Sequence, residues 1–175
     1  MQLNRRSVRP PVGGAADTTR KTVASRVALR EVTPENLQAV LALNVEESQR
    51  PFVASNVKSI AEAHFHPEAW FRAIYAGEQP VGFLMLHDES LHPNPRRSGY
   101  YFLWRLMIDA SYQSRGFARR AVELLCEHVR TRPHAHELIT SCRRGVGSPE
   151  GFYLKLGFHP TGQEDHGEVE LRLSL

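Results

Sequence analysis

The sequence predicts a single α/β domain built on a mixed, largely antiparallel sheet flanked by helices. Three observations carry this. Across residues 26–175, apolar runs of strand length alternate with segments of helical period. Their order, β-α-α-β-β-β-α-β-α-β-β, is that of an α/β sheet of mixed direction. The longest apolar run, "YYFLWRLMID", is continuous rather than alternating, which suits a central strand covered on both faces. A chain of 175 residues suffices for one well-buried core, and neither an internal repeat nor a second domain is visible.

Each element has a local reason. "VALREV" (27–32) alternates as a strand. Thr33-Pro34-Glu35 opens a helix, with Thr33 as cap and Pro34 at the first helical position; Leu37, Val40 and Leu41 share a face. "VKSIAEAHF" is a short second helix stopped by Pro67. "AWFRAIYA" and "PVGFLMLHD" are strands joined at Gly77-Glu78-Gln79-Pro80, a hairpin signal. "LHPNPRRSG" is a loop before the central strand. Residues 115–131 are helical, with Ala118, Ala121, Val122, Leu125 and Val129 at helical spacing. "HELITSC" is a strand. Ser148-Pro149 starts a helix through Leu156, ended by Gly157. "FHPTGQ" and "GEVELRLS" finish the sheet.

Composition narrows the class. Hydrophobic content is 41% and charged content 23%, ordinary for a soluble globular protein. No apolar run approaches the ~20 residues that span a bilayer, and no secretory hydrophobic segment is seen, so a cytoplasmic location is the expectation. Residues 1–30 hold seven Lys/Arg and one acid, while residues 31–175 hold fifteen Lys/Arg and eighteen acids. The basicity therefore belongs to residues 1–25, read as a flexible tail, and the acidic body argues against nucleic acid as a partner. Cys126 and Cys142 fit no metal or disulfide spacing and read as small buried residues. His64, His66, His87 and His92 are too irregularly spaced for a metal site and read as single surface histidines.

One turn stands out. After the central strand ends at Asp109, Gln113-Ser114-Arg115-Gly116-Phe117-Ala118 leads into the longest helix. The first N–H groups of a helix have no internal partner and sit at the positive end of its dipole. Gly116 lacks a Cβ, so a phosphate can approach the backbone; Ala118 keeps the next contact small, and Arg115, Arg119 and Arg120 add charge. Further on, "GSPEGFYLKLGF" sets Phe152-Tyr153 on a short helix, with Gly157-Phe158 opening the next strand.

Together these stretches resemble the GNAT superfamily of acyl-CoA N-acyltransferases. Its phosphate motif, Q/R-x-x-G-x-G/A, is matched by Gln113, Gly116 and Ala118. Its later motif, F-Y-x-K-x-G-F, is matched by Phe152, Tyr153, Lys155, Gly157 and Phe158. The agreement runs from about residue 27 to the end of the chain. The resemblance implies that the turn Gln113, Ser114, Arg115, Gly116, Phe117, Ala118, with Arg119 beside it, holds the pyrophosphate of acetyl-CoA. It implies that the strand ending "RLMID" splays from "HELITSC", and that the pantetheine arm pairs with the edge near Met107 and Ile108. A backbone N–H there would polarise the thioester carbonyl. Tyr153 would protonate the departing thiolate, a phenol of pKa ~10 serving a thiolate of pKa ~8.5. Transfer would be direct, in a ternary complex, with no metal and no acetyl-enzyme.

The resemblance implies a small amine as acceptor. The stretch "NVEESQRPFVASNVKSIAEA" is similar to diamine and spermine/spermidine acetyltransferases, which implies a polyamine held by Glu46 and Glu47; His87, Asp88 and Glu89 are further candidates. Other acceptors remain in view: an aminoglycoside, an amino acid or a protein amino terminus. So does a non-catalytic acyl-CoA sensor. Many members of the superfamily are dimers, which is the whole support for a homodimer. Two positions depart from the superfamily's pattern. The middle of the fourth strand reads Leu103-Trp104-Arg105 where an acid is common, and Val146 stands where an Asn is usual, so Arg143 or Arg144 would contact coenzyme A instead.

Overall fold

The computed structural model describes residues 27–175, so the basic tail expected over residues 1–25 lies outside it. The elements follow the expected order: β1 (Val27–Arg30), α1 (Leu37–Leu41), α2 (Asn56–Ala63), β2 (Ala69–Ala76), β3 (Gln79–Asp88), β4 (Tyr101–Ile108), α3 (Phe117–Arg130), β5 (Glu137–Arg143), α4 (Glu150–Lys155), β6 (His159–Asp165) and β7 (Glu168–Ser174). Three short 3₁₀ turns, at Glu47–Phe52, Glu89–Leu91 and Ala110–Tyr112, were not expected. The sheet has seven strands in the order β1-β2-β3-β4-β5-β7-β6. All neighbours are antiparallel except β4 and β5, which run parallel.

The first helix starts later than Thr33-Pro34-Glu35 suggests. Those residues form a turn in which the Asn36 and Leu37 N–H groups donate to the Thr33 carbonyl at 3.2 and 2.9 Å. The Asn36 side chain closes it, accepting from Thr33 N at 2.8 Å and donating to the Glu31 carbonyl at 2.8 Å. The β2–β3 connection is a two-residue loop of Gly77, at φ +64°, and Glu78. Arg30 on β1 clasps it, reaching both Glu78 carboxylate oxygens and the Gly77 carbonyl.

Each face of the sheet carries its own apolar cluster. On one side α3 lays Phe117, Ala121, Val122, Leu125, Cys126 and Val129 against Ile74, Leu84, Leu86 and Leu103. Fully burying a side chain of this kind stabilises by roughly 1.5–3 kcal/mol, so Leu125→Ala would break the docking most directly, at about 2–5 kcal/mol. On the other side Val40 of α1 and Ile60 of α2 cover Ala73, Tyr75, Phe83, Met85 and Met107.

Strand β4 departs from regular pairing in two places. The β3–β4 register steps from Met85↔Arg105 to Leu86↔Leu103, leaving Trp104 as an extra residue, a β-bulge. Trp104 and Arg105 consequently reach the same side of the sheet: the Trp104 ring meets His66 edge-on at 5.1 Å, and Arg105 Nη2 donates to Glu62 Oε2 on α2 at 3.0 Å. Second, β4 and β5 pair only at Phe102↔Ile139 and Leu103↔Thr140. The Thr140 hydroxyl donates to the Leu103 carbonyl at 3.0 Å, and beyond that point the two strands part.

Candidate functional site

The parted strands open a cleft of about 1480 Å³ between β4, β5, the N-terminus of α3, α4 and the segment Val45–Ala54. A single small ligand usually occupies ~300–1000 Å³, so this space has room for a large ligand and a second, smaller one.

At its wide end lies the turn singled out in the sequence. Ser114 and Gly116 both adopt left-handed conformations, at φ +61° and +86°, a sequence of dihedrals that turns successive N–H groups toward one side. Gly116 serves as the N-cap of α3 without a side-chain cap, and the first turn of α3 holds no acid. The leading amides of a fourteen-residue helix are thus left for an external anion. Ser114, Gly116, Phe117, Ala118 and Arg119 all line the cleft. Phe117 also roots the helix in the core at 3% exposure. Arg119 Nη2 donates to the Lys155 carbonyl at 3.3 Å, tying α3 to α4. Arg115 does not line the cleft: its Nη2 donates to the Ser111 carbonyl at 2.8 Å and its guanidinium lies over Tyr112. Arg120 is taken up by Glu123 and Glu127.

Gln113 braces this turn rather than presenting itself to a ligand alone. Its Nε2 donates to the Ile108 carbonyl at 3.0 Å and to Gln49 Oε1 at 2.7 Å, while Gln49 Nε2 donates back to Gln113 Oε1 at 3.1 Å. Asn44 adds a second tie, with its N–H on Asp109 Oδ2 at 2.9 Å and its carbonyl accepting from Ala110 N at 2.8 Å.

Hydrogen-bonded and non-bonded rows alternate along an antiparallel pair. Asp109 N donates to the Val81 carbonyl at 2.9 Å, so the bonded rows include Asp109–Val81 and, two residues back, Met107–Phe83. The backbone groups of Leu106 and Ile108 are therefore turned away from β3 and toward the cleft. The Ile108 carbonyl accepting from Gln113 agrees with this. Of the two edge residues expected from the sequence, Ile108 offers its amide to the opening, whereas the Met107 amide faces β3. Leu106, which was not singled out, offers the second amide.

Tyr153 is placed by how α4 ends. The Phe158 N–H donates to the Tyr153 carbonyl and the Gly157 N–H to the Leu154 carbonyl, both at 3.1 Å, with Gly157 at φ +94°. This is a Schellman closure, and its customary apolar contact is made by the Tyr153 and Phe158 rings, 5.4 Å between centroids. The spacing F-Y-x-K-x-G-F is thus a helix stop that locks the tyrosine. Its ring is buried at 6% exposure and lines the cleft below Thr140. Burial pushes the phenol up to about 12, with the Thr140 hydroxyl opposing and Cys142 reinforcing the rise. At neutral pH it is a proton donor.

The carboxylates expected to meet the acceptor lie elsewhere. Glu46 and Glu47 are exposed and outside the cleft lining; Glu47 pairs with Arg50 at 2.8 Å, and the Glu46 N–H donates to Gln49 Oε1 at 3.2 Å. Asp88 is fully buried and receives Arg132 Nε at 2.7 Å and the Ser90 hydroxyl at 2.6 Å. His66 and His87 are not isolated surface residues. His66 Nδ1 lies 2.8 Å from Glu68 Oε1, and His87 Nε2 lies 2.9 Å from Glu89 Oε2. With His87 and the Arg96 and Arg97 N–H groups around it, Glu89 is held down to about 2. His66 and Glu68 lie in the turn before β2, which the Ala69 N–H closes onto the His66 carbonyl at 2.9 Å, whereas His87 lies at the end of β3 and Glu89 opens the 3₁₀ turn after it. Among the described residues the cleft lining contains one carboxylate, Glu168, which accepts from the Ser141 hydroxyl at 2.6 Å and lies 3.6 Å from Arg143 Nε. Arg144 pairs with Glu150 and Glu164, and Val146 is fully exposed. No group of three His, Cys, Asp or Glu among the described residues is placed to hold a metal ion. Cys126 and Cys142 are buried free thiols, and burial pushes Cys126 up to about 11.

Comparison with known proteins shows the family and agrees with the fold. Residues 37–158 match the model of the acetyltransferase (GNAT) family. The spermine/spermidine N(1)-acetyltransferase of Bacillus subtilis (strain 168) is 22% identical over 142 residues, covering 79% of this chain and 91% of that protein. Among solved structures, an acetyltransferase from Thermus thermophilus superposes with a TM-score of 0.65 at 19% identity, over 85% of this chain and 97% of that one. The PaiA N-acetyltransferase of Thermoplasma acidophilum, solved with coenzyme A, gives 0.62 at 15% identity, over 85% and 99%.

Proposed function

The chain belongs to the acetyltransferase (GNAT) family and is an acetyl-CoA-dependent N-acetyltransferase; on that premise we propose how its own residues carry the transfer. The observation that supports the reading best is the opening beyond Leu103–Thr140, with the amides of Leu106 and Ile108 on one wall and the Tyr153 phenol on the other.

The leading amides of α3, with Arg119 and Lys155 beside them, hold the diphosphate of the cosubstrate. The amides of Leu106 and Ile108 hold the acyl-bearing arm, and one of them donates to the thioester oxygen as charge develops there. Bound acetyl-CoA supplies an activated acyl group. The acceptor's neutral nitrogen attacks the acyl carbon, a C–N bond forms and the C–S bond breaks. Tyr153 gives its phenolic proton to the departing sulfur and regains one from solvent. The acceptor's ammonium first loses one proton to solvent to give that neutral nitrogen, and the proton made surplus on nitrogen by C–N bond formation leaves toward Glu168, the carboxylate that faces the cleft. Holding both substrates in one space accounts for much of the rate, and no protein nucleophile is needed.

The similarity to spermine/spermidine acetyltransferases supports a polyamine as acceptor. The cleft does not add to that support, because Glu46 and Glu47 stand outside it. The deciding experiment is release of free thiol from acetyl-CoA across a panel of polyamines, amino acids, aminoglycosides and peptides. Turnover with at least one small amine is expected. Binding of acetyl-CoA with no thiol release from any of them would make the protein a sensor.

A further inference from the structure

The acceptor wall of the cleft has the wrong sign for a polycation. Its lining carries Arg50, Lys58, Arg105 and Arg143 in addition to Arg119 and Lys155 at the diphosphate end, against Glu168 alone. Two of the four are spoken for: Arg50 by Glu47 at 2.8 Å and Arg143 by Glu168 at 3.6 Å. Arg105 and Lys58 share one partner, Glu62, which lies 3.0 Å from the first and 3.6 Å from the second. One carboxylate between two cations leaves a net positive charge there.

Arg105 has spare bonding capacity as well. Its Nη1 donates to the Trp104 carbonyl at 2.9 Å and its Nη2 to Glu62, but its Nε is buried with no partner among the described residues. A buried donor without an acceptor is unfavourable and calls for an oxygen. The bulge at Trp104 turns Arg105 to the α2 side, where Lys58 also stands. Arg105 and Lys58 flank Glu62 from its two oxygens, and a guanidinium and an ammonium set on either side of one carboxylate suit a further carboxylate or phosphate beside it.

We propose that the acceptor is an amine that also carries an anionic group, a carboxylate or a phosphate, held by Arg105 and Lys58 while its nitrogen faces the thioester. This rests on the acetyl-transfer reading above and selects a substrate class within it. Spermidine brings like charge to the same wall and is disfavoured.

The test compares 4-aminobutyrate and O-phosphoethanolamine with n-butylamine and spermidine, using the full chain, saturating acetyl-CoA and thiol release as readout. The expected result is a kcat/KM at least tenfold higher for an anionic amine than for butylamine or spermidine. Lys58→Glu, at an exposed position that folding tolerates, should raise KM for the anionic amine about tenfold and narrow that preference. Arg105→Ala should do the same, with the acetyl-CoA Kd unchanged by calorimetry in both. Turnover led by spermidine, or a Lys58→Glu protein with the same preference as the parent, overturns the inference and leaves acetyl transfer standing. Acetyl-CoA binding without turnover of any amine overturns both.

Discussion

The side-chain amides of Gln49 and Gln113, sixty-four positions apart, exchange a pair of hydrogen bonds of 2.7 and 3.1 Å across the mouth of the cleft. Gln113 also donates to the last carbonyl of β4, so its side chain ties together the 3₁₀ turn Glu47–Phe52, the end of β4 and the entry to α3. The turn proposed to hold the diphosphate is therefore braced from the Glu47–Phe52 side.

Gln49→Ala removes that brace while leaving the Gln113–Ile108 bond. It should cost about 1–2 kcal/mol of stability in urea denaturation and weaken acetyl-CoA binding several-fold. Unchanged affinity by calorimetry would show that the turn holds its shape unaided.

Gly116 sits at φ +86° where the α3 amides are exposed. Gly116→Ala adds strain of roughly 1–2 kcal/mol, and Gly116→Glu adds a negative charge facing the diphosphate. Acetyl-CoA affinity should fall modestly for the first and at least a hundredfold for the second. Equal affinities in titration calorimetry would place the diphosphate elsewhere.

Tyr153→Phe should lower kcat about 10²-fold with the acetyl-CoA Kd unchanged. Because burial raises the phenol to about 12, it stays protonated across the working range. The parent's kcat should therefore show no alkaline fall due to this group below about pH 10. A pH–rate profile on both proteins checks this, and an unaltered kcat removes Tyr153 from the chemistry.

Glu89 is held near 2 by His87 and by backbone donors, well below its ordinary 4.5. A depressed carboxylate contributes stability that is present above the ordinary value and lost as pH falls from about 4.5 toward 2. Glu89→Gln should lose on the order of 2–3 kcal/mol at pH 7 and flatten that acid limb. Urea denaturation from pH 7 to pH 3 reads both effects.

Cys126, raised to about 11 by burial, is a protonated thiol at neutral pH, and Cys142 is buried as well. The Cys126→Ala/Cys142→Ala protein should keep its kcat, and mass spectrometry of enzyme mixed with acetyl-CoA should find no acetylated intermediate. An acetyl adduct on either cysteine would contradict direct transfer.

The order of strands and helices was legible because each element announces itself locally, as with the three- and four-residue spacing through Val122, Leu125 and Val129 or the glycine after Leu156. The glycine turn into α3 was legible for the same reason, since Gly116 and the residues around it are contiguous. The 3₁₀ turn at Glu47–Phe52 was missed because Pro51 interrupts any helical period. Glu46 and Glu47 were chosen by likeness of a stretch, which reports chain position and not the direction a side chain takes. Arg105, Gln49 and Glu168 join the cleft through a bulge, a pairing and a strand register. Each depends on partners twenty-five or more residues away, or on a slip of one residue, and no local pattern records such things.

The hydroxyl of Thr140 donates to the Leu103 carbonyl at the last paired position of β4 and β5, and no rung follows it. The sheet is therefore left unfinished at its centre, an arrangement that on an outer rim would invite another polypeptide to add itself. Here the parted edge lies inside a cleft lined by α3 and α4 rather than on a rim. On the reading proposed above, an amide-bearing thread would lie along it, and the protein would complete its sheet with a molecule that it did not have to encode.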